Sequence, residues 1–286
     1  MLRKSSTLTA ALTALVGGLA SALAAPAAHA AWALNMPPGV TAMSQRIYGL
    51  HMTIFWWCVA IAIAVFGVMI YSLVKFRRSV GAVPDSTLVH STKVEIIWTV
   101  IPVIILVIMA VPAARTLIQL EDTSNTELTV KITAYQWKWQ YDYLDQGVSY
   151  FSTLARDSDA ARQLESGTDV FTVPHYLLNV DHPFVVPVGT KVRLLLTAQD
   201  VIHAWWVPDL AVKKDAIPGF VNEAWFEIQA DKPGLYRGQC AELCGRDHGF
   251  MPIVVDARSK EDFAAWIKAQ AAEQKQASTA LTRSAG

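Results

Sequence analysis

Two stretches of this chain, from Met52 to Val74 and from Ile96 to Ala114, contain no Asp, Glu, Lys or Arg. A bilayer is crossed by about 20 apolar residues. Inside it every backbone N–H and C=O must find a partner within the protein, which leaves helices or closed barrels. Two such runs with one loop between them predict a transmembrane helical hairpin over residues 52–120. The competing reading, two buried helices of a water-soluble core, has to explain the lack of any charged face. The intervening loop, 75–95, carries Lys75, Arg77, Arg78 and Lys93, whereas residues 31–51 carry only Arg46. The positive-inside rule therefore puts the loop in the cytoplasm and both flanking segments outside. Trp56, Trp57 and Trp98 lie near the span ends, where indole rings anchor at the interface. Pro102 and Pro112 are tolerable in a membrane helix. Cys58 is expected to be a small packing residue of the first span.

The first 30 residues agree with that orientation. Arg3 and Lys4 precede an Ala/Leu/Val stretch that is interrupted by Gly17, Gly18 and Ser21 and ends at Ala28-His29-Ala30. This is the pattern of a cleavable secretory signal. Residues 31–51 are then an exported N-terminal segment.

After the hairpin the pattern changes. Leu128, Val130 and Ile132 alternate with polar residues, and so do Val192, Leu194 and Leu196. Period two with Gly and Pro punctuation predicts half-buried strands, and thus an all-β domain over 121–257. Glu121 to Asp256 hold 19 acidic and 11 basic residues, a net charge of −8, although the whole chain sums to zero. Such a surface attracts basic partners, and no basic patch suggests nucleic-acid binding. Residues 152–169 are acidic and poor in apolar side chains, and are expected to form a plain surface loop. In 258–286, Ser259 and Asp262 form a capping pair before Phe263, Trp266 and Ile267. That predicts a short amphipathic helix, followed from Gln276 by a flexible tail. Tyr135, Trp137, Trp139, Tyr141 and Tyr143 occupy alternate positions, so in one continuous strand they would share a face.

The chemistry is concentrated in GQCAELCGRDHGFM, where Cys240, Cys244, His248 and Met251 follow a C-x3-C-x3-H-x2-M spacing. Thiolate and thioether favour copper, and imidazole suits copper or zinc. A single-copper electron-transfer site uses one Cys, two His and an axial Met. A second Cys allows two thiolates to bridge two metal ions. His203, in VIHAWWVP, is the best candidate for the second imidazole. Three other readings stand beside this one. An exported Cys pair can form a disulfide, Cys240, Cys244, His248 and His203 can form a zinc site, and buried cysteines can be inert. Gly238, Gly245 and Gly249 suggest a tight loop with close backbone approach.

GQCAELCGRDHGFMPIVV, together with VIHAWWVPDLAVKKDAIPG, resembles the CuA domain of the cytochrome c oxidase subunit 2 family, over roughly residues 40–257. The resemblance implies an α+β membrane protein, with a two-helix transmembrane hairpin followed by an all-β cupredoxin-like Greek-key sandwich. It implies a binuclear copper centre bridged by Cys240 and Cys244. His203 and His248 would each bind one copper, Met251 one of the two, and the Glu242 carbonyl the other. The Glu242 side chain would bind magnesium or manganese shared with subunit 1. Trp137 matches the Trp through which the family receives electrons from cytochrome c, with Lys138 where an aromatic is often found. Asp142 would be a docking carboxylate. Glu95 matches a residue at the entrance of a proton path, although a carboxylate at a helix N-terminus also has a simple electrostatic explanation. The implied partners are cytochrome c and subunits 1 and 3, in a bacterial inner membrane with the copper domain on the outer side. There is no C-x-x-C-H, so no covalent c-type haem is expected in this chain. The alternative function is a membrane-anchored copper-handling protein without turnover.

Overall fold

The computed structural model describes residues 35–83, 87 and 90–284. The expected signal segment, 1–30, lies outside the described residues. Helix α1 spans Ala42–Lys75 and α2 spans Thr92–Leu120. At 1.5 Å per residue they are about 51 and 44 Å long, longer than a hydrocarbon core of about 30 Å. Helix α1 therefore starts well before its apolar run, and a local signal sets where. Thr41 Oγ1 accepts from the Ser44 amide at 2.8 Å, and Ser44 Oγ accepts from the Thr41 amide at 3.0 Å. This reciprocal box satisfies two donors that a helix start leaves open. Pro102 and Pro112 lie within α2 without ending it. Both helices show apolar side chains on all sides, the pattern of a membrane span rather than of an amphipathic surface helix. Cys58, expected to pack, is exposed on α1.

The part of the chain that follows α2 is a sandwich of two five-stranded sheets. Its strands are β1 (Leu128–Tyr135), β2 (Lys138–Tyr143), β3 (Val148–Ser152), β4 (Phe184–Pro187) and β5 (Val192–Ala198). They continue as β6 (His203–Val207), β7 (Val212–Ala216), β8 (Asn222–Phe226), β9 (Gly234–Cys240) and β10 (Pro252–Arg258). One sheet runs β3-β2-β1-β5-β8 and the other β4-β10-β9-β6-β7. The pairs β1–β5 and β4–β10 are parallel and the remaining pairs antiparallel. Val130, Ile132, Val192, Leu194 and Leu196 are fully buried, so the period-two alternation marks the inner face.

Three expectations need correction. The aromatic run is not one strand. Chain reversal at Gln136 and Trp137 separates β1 from β2, so Trp139, Tyr141 and Tyr143 fill the core while Trp137 is left half-buried at the turn. The C-terminal helix is not short. Helix α4 runs Lys260–Ser284, through the segment expected to be flexible. Ala, Gln, Glu and Lys dominate its second half, and these are strong helix formers. The acidic stretch after β3 is more than a loop. It contains α3 (Arg156–Ala161), with Ser158 and Ala161 buried. Small side chains let this short helix sit on the domain without a large apolar face.

Gly238 in β9 exists because a side chain has no room there. A Cβ would lie 1.9 Å from the Trp206 carbonyl oxygen and 2.8 Å from Val207 Cγ2. The first obstacle is the backbone of β6, which cannot rotate away. Gly238→Ala is therefore expected to destabilise the domain by about 3 kcal/mol or more. Denaturant midpoints of the detergent-solubilised chain check this, and an unchanged midpoint would contradict the close approach of β6 and β9.

Candidate metal centre

The loop from Ala241 to Met251 joins β9 to β10 at one end of the sandwich. Its partners at that end are the start of β6, the turn before it, and the β1–β2 turn. The antiparallel register places Trp205 opposite Cys240. The Ala241 amide donates to the Ala204 carbonyl at 3.0 Å, and the Cys240 amide to the Met251 carbonyl at 3.0 Å. Residues 37 positions apart are joined in this way. His203, Cys240, Cys244 and Met251 are all buried.

The donor atoms form a short series. His203 Nδ1 lies 3.9 Å from Cys240 Sγ, the two sulfurs lie 3.7 Å apart, and Cys244 Sγ lies 3.5 Å from His248 Nδ1. The donor atoms of His203, Cys240 and Cys244 all fall within 4.8 Å of one another. Two sulfurs thus occupy the middle, with one imidazole on each side. The Glu242 carbonyl oxygen is 3.3 Å from Cys240 Sγ, whereas the Glu242 side chain is exposed. Both cysteines are free thiols, so no disulfide forms here. The remaining sequence candidates lie apart from this group. Asp142 is on β2, where it accepts from Gln140 and Ser149. Glu95 is in the first turn of α2, about 37 Å along the helix from its far end.

Several supporting residues were missed from sequence. Asp200 Oδ1 lies 2.9 Å from His203 Nε2. An ionised carboxylate only accepts, so the imidazole proton sits on Nε2 and the Nδ1 lone pair faces Cys240. Such outer partners fix the tautomer of a metal-binding histidine. The other Asp200 oxygen accepts from the Gln136 amide at 2.7 Å. Burial works against the Asp200 charge, but hydrogen bonds from His203, Val201 and Gln136 hold its pKa below the usual carboxylate value. The D-x-x-H spacing was the available signal. Gln136 Nε2 and Trp137 Nε1 both donate to the Cys244 carbonyl, at 2.9 and 3.2 Å. Gly245 takes a φ of +114°, and a Cβ there would come within 2.9 Å of Gln136 Nε2. Gly249, expected to share this crowding, faces open space.

The two thiols are unequal. Burial opposes ionisation of Cys240, but hydrogen bonding to His203 and to the backbone at Ala204 and Glu242 brings its pKa down to about 7. Burial, and then the charge on Cys240, push Cys244 up to about 12. Burial acts to lower the His203 pKa, yet hydrogen bonds to Cys240 and Asp200 reverse that and leave it raised. The cluster therefore holds protons that a soft cation has to displace.

The family profile for the cytochrome c oxidase subunit II periplasmic domain matches residues 128–258, and that for its transmembrane domain matches residues 29–116. A probable cytochrome c oxidase subunit 2 of Rickettsia prowazekii is 40% identical over 238 residues, covering 83% of this chain and 72% of the relative. The chain belongs to the cytochrome c oxidase subunit II family. A subunit 2 of Arabidopsis thaliana is 36% identical over 240 residues, covering 84% of this chain and 90% of the relative. Among solved structures, the periplasmic domain of subunit II of cytochrome oxidase of Bradyrhizobium japonicum is 39% identical. It covers 53% of this chain and 98% of that one, with a TM-score of 0.44. This subunit II is thus part of a haem-copper oxidase complex, an oxidoreductase, with two helices long and apolar enough to cross a membrane. Family membership sets the copper-handling alternative aside.

The thiol pKa values give a signed prediction for metal loading. Above about pH 8, Cys240 is already ionised and Cys244 still has a proton to lose. Below about pH 6, Cys240 holds its proton as well, and the raised pKa of His203 favours a further proton there. Apparent affinity for a soft cation should therefore fall as pH drops, with release steepening from about one proton per chain to two or more. Cadmium titrations of the metal-free chain, with proton release followed by indicator dye, measure this. Proton release independent of pH would contradict the unequal thiols.

Proposed function

We propose that this subunit II is the electron-entry subunit of its oxidase, taking electrons from cytochrome c and delivering them toward haem in subunit 1. The observation that carries this reading is the order of donors, imidazole, sulfur, sulfur, imidazole, the first three buried and His248 half-buried, at the proposed exported end of a membrane-anchored chain. The donors fit two copper ions, and soft sulfur with imidazole is copper chemistry. Cys240 and Cys244 would bridge, with His203 and His248 one on each ion. Met251 and the Glu242 carbonyl would be the weak ligands. Two bridged coppers supply a one-electron store in which the charge is shared, so bond lengths change little on reduction. The protein keeps that store dry and its ligands fixed: Asp200 orients His203, and Gln136 and Trp137 tether the Cys244 carbonyl.

The exposed Glu242 carboxylate makes no hydrogen bond or ion pair among the described residues. It is open to a hard cation, magnesium or manganese, shared with subunit 1, since oxygen donors suit such ions. Trp137 supports electron entry by its position, half-buried and hydrogen-bonded to a ligand residue. The net charge of −8 supports encounter with a basic cytochrome c. Glu95, in the first turn of α2 beyond the basic loop, is assigned to proton entry from the cytoplasmic side. Contact with subunit 3 completes the proposed assembly, and the copper domain faces the outer side of a bacterial plasma membrane.

Copper analysis and electron-spin spectra of the full chain test the centre. Two coppers per chain and a seven-line hyperfine pattern are expected, and Cys240→Ser or Cys244→Ser should abolish that pattern. One copper with four lines would remove the binuclear assignment. Trp137→Ala tests electron entry separately. It should leave the copper spectrum intact and slow reduction by bound cytochrome c by orders of magnitude. Added salt should instead weaken encounter for mutant and parent alike, because the Debye length is about 8 Å at physiological ionic strength. A Trp137→Ala chain with a normal rate at saturating cytochrome c would place electron entry elsewhere.

A further inference from the structure

We propose that Arg162, on the segment following α3, is a positioning residue for the metal loop. It holds Asp247 and Phe250 and, through them, the His248 imidazole and the Met251 thioether. The proposal rests on the copper-centre reading above for its consequence, but its geometry stands independently.

Asp247 directly precedes His248, and its side chain is only 15% exposed. A carboxylate so placed needs a cation. Two are present. Arg246 contacts it at 3.4 Å but is 82% exposed. Arg162 is 23% exposed, with a guanidinium nitrogen 3.8 Å from Asp247 Oδ1. Exposed pairs are worth little, because solvent and side-chain entropy compete. Removing the partner of a desolvated charge costs more, since the charge left behind has no compensation. Arg162 is therefore the cation that matters. Its guanidinium also lies 4.3 Å from the Phe250 ring centroid, a cation–π distance. Phe250 precedes Met251. One side chain thus touches the residues before two of the loop ligands, His248 and Met251.

Arg162 is itself held in place. Its Nε donates to Asp159 Oδ1 at 2.8 Å. Helix α3 is fixed at its start by the Ala155 amide on the Asn179 carbonyl, and along its length by the buried Ser158 hydroxyl accepting from the Leu177 amide. Asn179 in turn accepts from Arg237 of β9. The loop end of this arrangement is tight: the Phe250 amide donates to the Asp247 carbonyl at 2.9 Å, and the His248 amide to Gly245 at 3.2 Å. A cavity of about 200 Å³ lined by Trp137, Leu154, Arg162, Asp247 and Phe250 adjoins this contact. Without the guanidinium, water gains the space and Asp247 has reason to swing out, taking the turn with it.

The test uses the full chain in detergent, metal-free and copper-loaded, as parent, Arg162→Ala and Arg162→Lys. In the metal-free Arg162→Ala chain, the His248 and Phe250 amides should lose hydrogen-exchange protection while β1 and β5 keep theirs. In the loaded chain, copper retention against a chelator should fall about 10–100-fold, the usual effect of losing an outer partner, and the hyperfine pattern should change. Arg162→Lys should recover part of the retention, because an ammonium restores the charge but not the planar contact with Phe250. If Arg162→Ala fails to fold, Arg162→Gln, which preserves most of the stem packing, replaces it with the same expectations. Parent-like loop protection and an unchanged spectrum in the folded variant would overturn the proposal. A parent chain without a two-copper spectrum would instead sink the copper reading, and metal-free exchange would still decide the role of Arg162.

Discussion

Cys240 ends β9 directly opposite Trp205 of β6, and that pairing brings an imidazole and two sulfurs from distant parts of the chain to one point. Trp205 has no exposed surface. It stacks on Phe226 at a 9° interplanar angle and meets the edge of Phe184. Slipping the register by one residue would turn Trp205 outward and reverse every side chain of the strand. Core packing thus enforces the register, and the register fixes where His203 meets Cys240. The Trp139 ring, edge-on to His203 with centroids 6.1 Å apart, closes the remaining side.

Rigidity at this point has an electrostatic consequence. Two thiolates 3.7 Å apart repel by about 4 kcal/mol at an effective dielectric near 20. A flexible loop would relieve this by separating them. Here the loop is tied at Cys240, at the Cys244 carbonyl and at Met251, so separation is blocked. The protein instead keeps one proton until a cation replaces it. The split between a thiol near 7 and one near 12 comes from burial of Cys244 first, from that repulsion second, and from the hydrogen bonds that favour the Cys240 thiolate. Demand for metal is in this sense a property of the sandwich and not of the cysteines alone.

The sequence carried some of this and concealed the rest for physical reasons. The two membrane helices were legible because a charge-free run of that length has few other fates. The alternation in β1 and β5 was legible because one face of each is wholly buried. The start of α1 was not, since a capping box at Thr41 and Ser44 is a local hydrogen-bond signal that hydropathy does not register. The Tyr135–Tyr143 run misled because alternation persists across a tight reversal: the residues keep their spacing while Trp137 leaves the common face. The cluster spacing names four donors and VIHAWWVP offers His203, whereas its carboxylate partner Asp200 shows in the sequence only as a D-x-x-H spacing. A supporting residue announces itself by geometry, and geometry appears only when β5, β6 and the β1–β2 turn converge.

Electron transfer decays steeply with distance, so a metal site on a membrane anchor is useful only if its height above the bilayer is fixed. The N-terminal segment supplies part of that constraint. The Val40 amide donates to the Asp209 carbonyl at 2.9 Å, and the Val40 carbonyl accepts from the Gln229 amide at 3.0 Å. The residue before the α1 cap is thereby pinned on both sides to the domain. At the other helix, Trp225 Nε1 of β8 donates to the Gln119 carbonyl in the last turn of α2 at 3.2 Å, while Lys191 sits 4.2 Å over the same indole and donates to the carbonyls of Asp122 and Ser124. The Gln119 carbonyl also accepts from the Asp122 amide at 3.3 Å, so the indole adds a second donor to a helix end already closed by the following turn. Backbone anchors at both helices leave the sandwich little freedom to tilt. The chain therefore fixes the metal loop twice, by strand register within the domain and by helix-end hydrogen bonds against the membrane.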